Sequence, residues 1–303
     1  MLDSAKIVVT GSNGFLGRHL RRTIVAAFPG AHVIGWARDV DPSDPSSRAV
    51  NPSAENSVAS ALEEFQPDII FHCAGTVSSP RWETLYAGNV STTTGLLDGM
   101  VCSQSKAKVV VPGSAAEIGD VHSADLPISE EQLCRPSSPY GVSKVWQSTA
   151  IRFFTARGLP IVTGRLFNLI GQGISEHLSV GTFRKQIVAI HERKAGGPIR
   201  VGNLSAERDF LDVEDACAGL ISLATHGRAG ETYNICSGVP VSMHEILQRM
   251  IKSKGIDVEI EVDPARFRPN DQPRIYGSNS KIRQETGWTP AISLTDSIAG
   301  FLK

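Results

Sequence analysis

Net charge is almost absent from this chain of 303 residues, in which 30 lysines and arginines stand against 31 aspartates and glutamates. Without a basic excess there is no electrostatic case for nucleic acid or an anionic membrane surface as a partner. Cysteine is scarce as well. The five thiols, Cys73, Cys102, Cys134, Cys217 and Cys236, include no C-x-x-C pair. That spacing speaks for free thiols in a reducing compartment and against structural zinc, so no metal site is expected. No uncharged apolar run approaches the roughly 18 residues of a membrane helix. The opening Met1, Leu2, Asp3, Ser4, Ala5, Lys6 carries charge where a secretory leader would turn apolar. A soluble, cytoplasmic protein is the expectation. Repeats and low-complexity tracts are also missing, and the length suits one large domain or two intimately packed ones.

What the chain does have is a series of short apolar runs. Residues 6–10, 32–37, 68–74, 108–111 and 159–165 are near-continuously apolar and separated by helix-length segments. Such strands are buried on both faces, which predicts an α/β fold: a Rossmann-like, doubly wound parallel sheet. Residues 39–56, rich in Pro, Ser and Asp, read as a long surface loop. Past Arg165 the texture becomes more polar, yet residues 212–224 and 233–236 read as a helix and strand that rejoin the sheet. The expected organisation is a dinucleotide-binding domain over 1–165, rejoined by about 210–240. Residues 166–209 and 241–303 would form a smaller, discontinuous substrate lobe.

The first strand runs into Gly11-Ser12-Asn13-Gly14-Phe15-Leu16-Gly17 and then a helix. In that setting the first glycine allows a tight turn, the second lets backbone approach a pyrophosphate, and the third lets helix and sheet pack closely. The helix start offers unpaired N–H groups and a favourable dipole to the phosphates. After the second strand, Arg38 stands where a guanidinium would bind a 2′-phosphate. It points to NADPH, while Asp39 one residue later keeps NADH possible.

Ser138 and Pro139 read as the cap and first turn of a helix in which Tyr140 and Lys144, four residues apart, share one face. A tyrosine phenol, with an ordinary pKa of about 10, can exchange a proton with a carbonyl or carbinol if a nearby ammonium favours the phenolate. Val109-Val110-Val111-Pro112-Gly113-Ser114 ends a strand with the Ser114 hydroxyl at its C-terminal tip, where doubly wound sheets hold ligands, and that hydroxyl could reach the same oxygen.

Taken together these motifs resemble the extended short-chain dehydrogenase/reductases of the nucleotide-sugar epimerase/dehydratase type. The glycine turn, His72-Cys73-Ala74-Gly75, Asn89-Val90, Ser114, Ser138-Pro139-Tyr140-Gly141-Val142-Ser143-Lys144, Arg165-Leu166-Phe167-Asn168 and Arg208-Asp209-Phe210 fall in family order. By that resemblance Asn13, Phe15, Leu16 and Ala74 join the glycines, Arg38, Tyr140 and Lys144 around the cofactor. Asn168 and Arg208 would contact a substrate nucleotide, Arg268 its diphosphate, and Ser114 the sugar. The C-terminal motifs are most similar to reductases of GDP-4-keto-6-deoxy-D-mannose, which make GDP-D-rhamnose. Related sugar dehydratases carry an Asp-Glu pair after the strand-end hydroxyl; here Ala115-Ala116 follow Ser114, and Glu117 is displaced by one. Departures from the reductase pattern are Leu166, Leu169, Gln172, Ile118 and Asn51. A 4-epimerase retaining its NAD, or a non-catalytic dinucleotide sensor, are the competing expectations. The resemblance also implies a homodimer formed through the Tyr140 helix and the helix after Asn89.

Overall fold

The computed structural model of the protein describes residues 2–40, 43–77, 79–193, 196–267 and 272–303. The strands are β1 (Lys6–Thr10), β2 (His32–Ala37), β3 (Ser47–Ala49), β4 (Ile69–His72), β5 (Lys108–Ser114), β6 (Ile161–Leu166) and β7 (Asn168–Ile170). They continue with β8 (Ile199–Val201), β9 (Glu207–Asp212), β10 (Thr232–Ile235), β11 (Pro240–Ser242), β12 (Ile260–Val262) and β13 (Arg274–Ile275). Helices in the first half are α1 (Phe15–Ala27), α2 (Glu55–Phe65), α3 (Trp82–Leu85), α4 (Thr92–Cys102) and α5 (Pro139–Thr155). The second half carries α6 (Ser179–His191), α7 (Val213–His226), α8 (Met243–Lys254), α9 (Ser280–Thr286) and α10 (Leu294–Phe301). Among the described residues no helix is long and apolar enough to cross a membrane.

Seven strands form one parallel sheet in the order β10-β6-β5-β4-β1-β2-β3. Successive side chains of a strand point to opposite faces, and with helices on both sides each face needs apolar residues. Ile7 and Val9 of β1, Ile69 and Phe71 of β4 and Val110 of β5 pack on one face with Leu20 and Ile24 of α1 and Leu220 and Leu223 of α7. Their neighbours Val8, Ile70, Val109 and Val111 pack on the other with Leu62 of α2, Leu96 and Met100 of α4 and Phe154 of α5. This division explains why the runs read as continuous rather than alternating.

The strand order reverses between β1 and β4, so the chain leaves the C-terminal ends of these two neighbours in opposite directions and opens a crevice there. Beyond it, β9 pairs with β7, β11 and β13, and β8 pairs with β12. These elements and α6, α8 and α10 enclose a third core that includes Phe183, Ile187, Phe210, Leu247 and Phe301. Ile282 and Trp288, although late in the chain, belong to the first core instead.

Residues 39–56 are not the uninterrupted loop expected from their composition. Among their described residues, β3 adds an edge strand in parallel with β2, and α2 already begins at Glu55. Polar contacts stand in for apolar ones there: Arg21 Nη2 donates to Ser46 O at 3.0 Å and to Ser46 Oγ at 2.7 Å, and the Asp44 carboxylate accepts from Ser46 and Ser47.

Candidate active site

At the end of β1, Gly11 adopts φ +62°, a conformation costly for side-chain-bearing residues, and a Cβ there would sit 2.7 Å from the backbone of Ala74. Gly17 lies against the turn, where a Cβ would come within 2.3 Å of Gly11 O. At Gly14 a Cβ would meet only Gly11 O, at 3.1 Å, so its other side opens outward. Gly14 is also the N-cap of α1. It offers no side-chain cap, the first turn holds no acidic residue, and Phe15 and Leu16 follow as the first helical residues. An open cradle of backbone N–H groups at the positive end of a helix fits a dinucleotide pyrophosphate.

Asn13 Nδ2 donates to Asp39 O at 2.7 Å and ties the turn to the segment after β2. Arg38 is exposed beside it, and its guanidinium has no hydrogen-bond or ion-pair partner among the described residues. Ala74 donates its N–H to Thr10 Oγ1 at 3.1 Å, which joins the end of β4 to that of β1. Asn51 accepts the Ser53 N–H in a local turn at 3.1 Å.

Ser114 is the last residue of β5. Its Oγ accepts the Ala116 N–H at 3.2 Å, and its own N–H donates to Glu117 Oε1 at 2.9 Å. Glu117 is buried, with Oε2 taking the Ser148 hydroxyl at 2.9 Å, so this carboxylate braces the Ser114 turn from beneath. Ile118 is sealed in a small cluster with Ile128, Phe167 and Cys236. Helix α5 approaches the same turn closely because residue 141 is glycine: a Cβ there would lie 2.3 Å from Ala116 O. Ser138 Oγ caps α5 through the Gly141 N–H at 3.1 Å. Tyr140, half-buried, is thereby brought beside the Ser114 hydroxyl, which favours its phenolate.

The expected effect of Lys144 on Tyr140 needs correction. Burial pushes the Tyr140 phenol above its ordinary value; the Ser114 hydroxyl opposes this and the charge of Glu117 adds to it. Burial outweighs any lowering by Lys144, whose ammonium is drawn into the interior, donating to Pro112 O at 2.8 Å and to Gln147 Oε1. Burial lowers the Lys144 pKa from 10.5 to about 8, against the raising effect of Glu117 and Cys73.

Behind Lys144 runs a polar chain that sequence reasoning missed. Gln147 Nε2 donates to Thr93 Oγ1 at 2.8 Å, which also meets His72 Nε2 at 3.1 Å, and His72 Nδ1 meets Thr10 Oγ1 at 2.9 Å. Asn89 Nδ2 bonds both Thr76 O and Ser143 Oγ at 2.9 Å, and Ser143 Oγ bonds Tyr140 O at 2.7 Å. The available signal was the polar residue ending each of two apolar strands, Thr10 and His72.

Asn168 is exposed at the start of β7 and donates to Asp209 O at 3.0 Å. Arg208, on β9, is half-buried and donates to Glu207 O at 2.7 Å. Its neighbour Asp209 is buried and was also missed: its carboxylate accepts from Ser237 N–H and Oγ, Gly238 N–H and Gly277 N–H, tying two later loops to β9. Arg268 lies outside the described residues.

With this geometry in hand, a family model described as the NAD dependent epimerase/dehydratase family matches residues 7–236. The chain is 29% identical over 303 aligned positions to the GDP-6-deoxy-D-mannose reductase of Pseudomonas aeruginosa, covering 98% of this chain and 96% of that protein. It is also 29% identical to the GDP-6-deoxy-D-talose 4-dehydrogenase of Aggregatibacter actinomycetemcomitans, over 93% of this chain and 91% of the relative. Among solved structures, RMD from Pseudomonas aeruginosa complexed with NADPH matches with a TM-score of 0.86 at 28% identity, covering 98% of this chain and 97% of that one.

Proposed function

The chain belongs to the NAD dependent epimerase/dehydratase family, and from that premise we propose that it is an NADPH-dependent 4-ketoreductase of nucleotide sugars. Its substrate would be GDP-4-keto-6-deoxy-D-mannose and its product GDP-6-deoxy-D-mannose (GDP-D-rhamnose). The observation that carries this reading is the convergence of Ser114, Tyr140 and Lys144 at the end of β5 with no free acid–base pair beside them among the described residues. Ala115 and Ala116 transfer no proton, and both oxygens of Glu117 are engaged. Water elimination needs such a pair, whereas ketone reduction needs one proton donor.

The glycine turn, the start of α1 and Arg38 would hold the cofactor, which when bound supplies hydride to the C4 ketone. Ser114 orients the ketone oxygen and Tyr140 gives it a proton from its phenolic oxygen. A phenol kept protonated by burial suits this direction of reaction. Lys144 stabilises the phenolate left behind. Residues 166–209 and 241–303 would supply the nucleotide side of the site, through Asn168, Arg208 and Arg268. The test is NADPH consumption, followed by its near-ultraviolet absorbance, on the ketone generated in place. Consumption matched to product supports the reductase. Interconversion of C4 epimers with tightly retained NAD and no NADPH consumption would replace it with a 4-epimerase. Product analysis separates the 6-deoxy-mannose from the 6-deoxy-talose configuration.

Two predictions accompany this reading. Arg38→Ala should raise the KM for NADPH by about 10- to 100-fold, the loss expected for one or two hydrogen bonds to a charged phosphate, and leave that for NADH within a few-fold. Equal effects on both cofactors would remove Arg38 from the 2′-phosphate site. The second concerns assembly. Trp82, Tyr86, Trp146 and Phe153 are 46%, 49%, 42% and 51% exposed, and Trp146 lies 5.9 Å from Trp82 and 6.0 Å from Tyr86 between ring centroids. An aromatic face of this kind on α3, α5 and the turn after α3 suits a second copy of the chain. Sedimentation should therefore report twice the 32.5 kDa monomer mass, reduced towards the monomer by Trp146→Glu. A monomer in the unaltered protein would refute it.

A further inference from the structure

We infer that Gln147 is a positioning residue for Lys144: its amide oxygen holds one N–H of the ammonium in a direction dictated by the buried chain through Thr93 and His72. This rests on the reading of Lys144 as the partner of Tyr140.

The direction follows from counting donors. Thr93 Oγ1 gives its single proton to Asn89 O at 2.8 Å, so it can only accept from its other two neighbours, Gln147 Nε2 and His72 Nε2. Accepting from Gln147 orients the amide and leaves the oxygen facing Lys144 Nζ. Accepting from His72 places that ring's proton on Nε2, so Nδ1 takes the Thr10 hydroxyl proton, and Thr10 Oγ1 in turn accepts the Ala74 N–H. Each of these bonds finds its donor in this single arrangement, which needs His72 neutral. Burial and the charge of Lys144 hold its pKa down to about 3, in agreement.

The consequence falls on the ammonium. Gln147 is 2% exposed and Lys144 6%. Two of the three N–H groups of Lys144 go to Pro112 O and Gln147 Oε1; the third has no acceptor among the described residues and is free for cofactor or substrate. Both acceptors are neutral. Among the described residues the titratable groups around Lys144 are His72 at the end of β4, Cys73 after it, Glu117 after β5 and Tyr140 on its own helix; α4 contributes only the Thr93 hydroxyl to this cluster. Cys73, pushed up to about 12, stays a thiol, and the Glu117 carboxylate is held by Ser114 N–H and Ser148 Oγ rather than by the ammonium. The residue at 147 is therefore the nearest control on both the direction and the charge of Lys144.

The experiment uses the full chain labelled with 13C at lysine Cε, titrated by NMR, with the Lys144 signal assigned by its loss in Lys144→Met. Gln147→Leu, which removes the acceptor, should lower the Lys144 midpoint by about one unit or more. Gln147→Glu, which places a carboxylate there, should raise it. In turnover the alkaline limb should move in the same two directions, and Gln147→Glu should recover more activity near neutral pH than Gln147→Leu. Midpoints identical in all three folded proteins would overturn the inference. If Gln147→Leu does not fold, Gln147→Asn, too short to span Lys144 and Thr93, takes its place with the same expected sign. Shifted midpoints without any nicotinamide turnover in the unaltered protein would sink the reductase reading alone, and turnover with unmoved midpoints would sink the role of Gln147 alone.

Discussion

Replacing Tyr140 by Phe is expected to lower kcat by about 10²- to 10⁴-fold, roughly 3 to 5 kcal/mol of transition-state stabilisation, while NADPH affinity stays within a few-fold. The change removes one oxygen and little else. The ring keeps its half-buried place, Ser138 still caps α5, and Gly141 still lets the helix reach the Ser114 turn. Without the phenol the ketone oxygen retains only the Ser114 hydroxyl, which can polarise it but has no ammonium behind it to stabilise the anion left by proton transfer. Glu117 cannot substitute, since its carboxylate is buried and already accepts two hydrogen bonds. The check is single-turnover kinetics with a parallel NADPH titration. Undiminished turnover in the folded variant would assign the proton to another group.

Lys144→Met should cost about 10²- to 10³-fold in kcat/KM at neutral pH, the usual loss when a group that stabilises developing charge is removed. It should also erase a feature of the pH profile. With its pKa at about 8, Lys144 is an ammonium at neutral pH and loses its charge as pH rises through 8. Activity that needs the charge is therefore full below 8 and falls above it, by about tenfold per unit. Tyr140, raised by burial, remains a phenol over that range and does not account for the limb. In the Met variant the residual rate should stay flat from pH 7 to 9. The variant leaves Pro112 O and Gln147 Oε1 without a donor, about 1 to 3 kcal/mol each. It also relieves the cost of burying an ammonium, so the folded state should persist; a melting curve checks this. A limb near pH 8 that survives the substitution would transfer it to a different group.

How much of this was legible beforehand depended on range along the chain. The parallel sheet was, because two-faced burial writes itself as contiguous runs such as Ile7-Val8-Val9. The strand–turn–helix around the glycines and the helix that carries Tyr140 and Lys144 were, because each is set by neighbouring residues in the sequence. What helical spacing cannot show is where a lysine ends. It places Lys144 on the face of Tyr140, but Pro112 O and Gln147 Oε1 draw the ammonium inward and leave burial to set the phenol's pKa. The chain from Thr10 to His72 to Thr93 to Gln147 joins residues 62, 21 and 54 positions apart, a separation only the sheet closes. Asp209 escaped notice for a similar reason, since its partners Ser237, Gly238 and Gly277 come from later loops. β3 was hidden because its segment is held by polar bonds from Arg21 and Asp44.

The measurement closest to the central claim is the fate of the transferred hydrogen. NADPH deuterated at nicotinamide C4, on whichever face is transferred, is supplied in excess with GDP-4-keto-6-deoxy-D-mannose, and the product is read by NMR and mass spectrometry. One deuterium per sugar, at C4 only, with one NADPH oxidised, is the predicted result. Product formed without the label, from a nicotinamide that stays bound and is regenerated, would contradict the reductase.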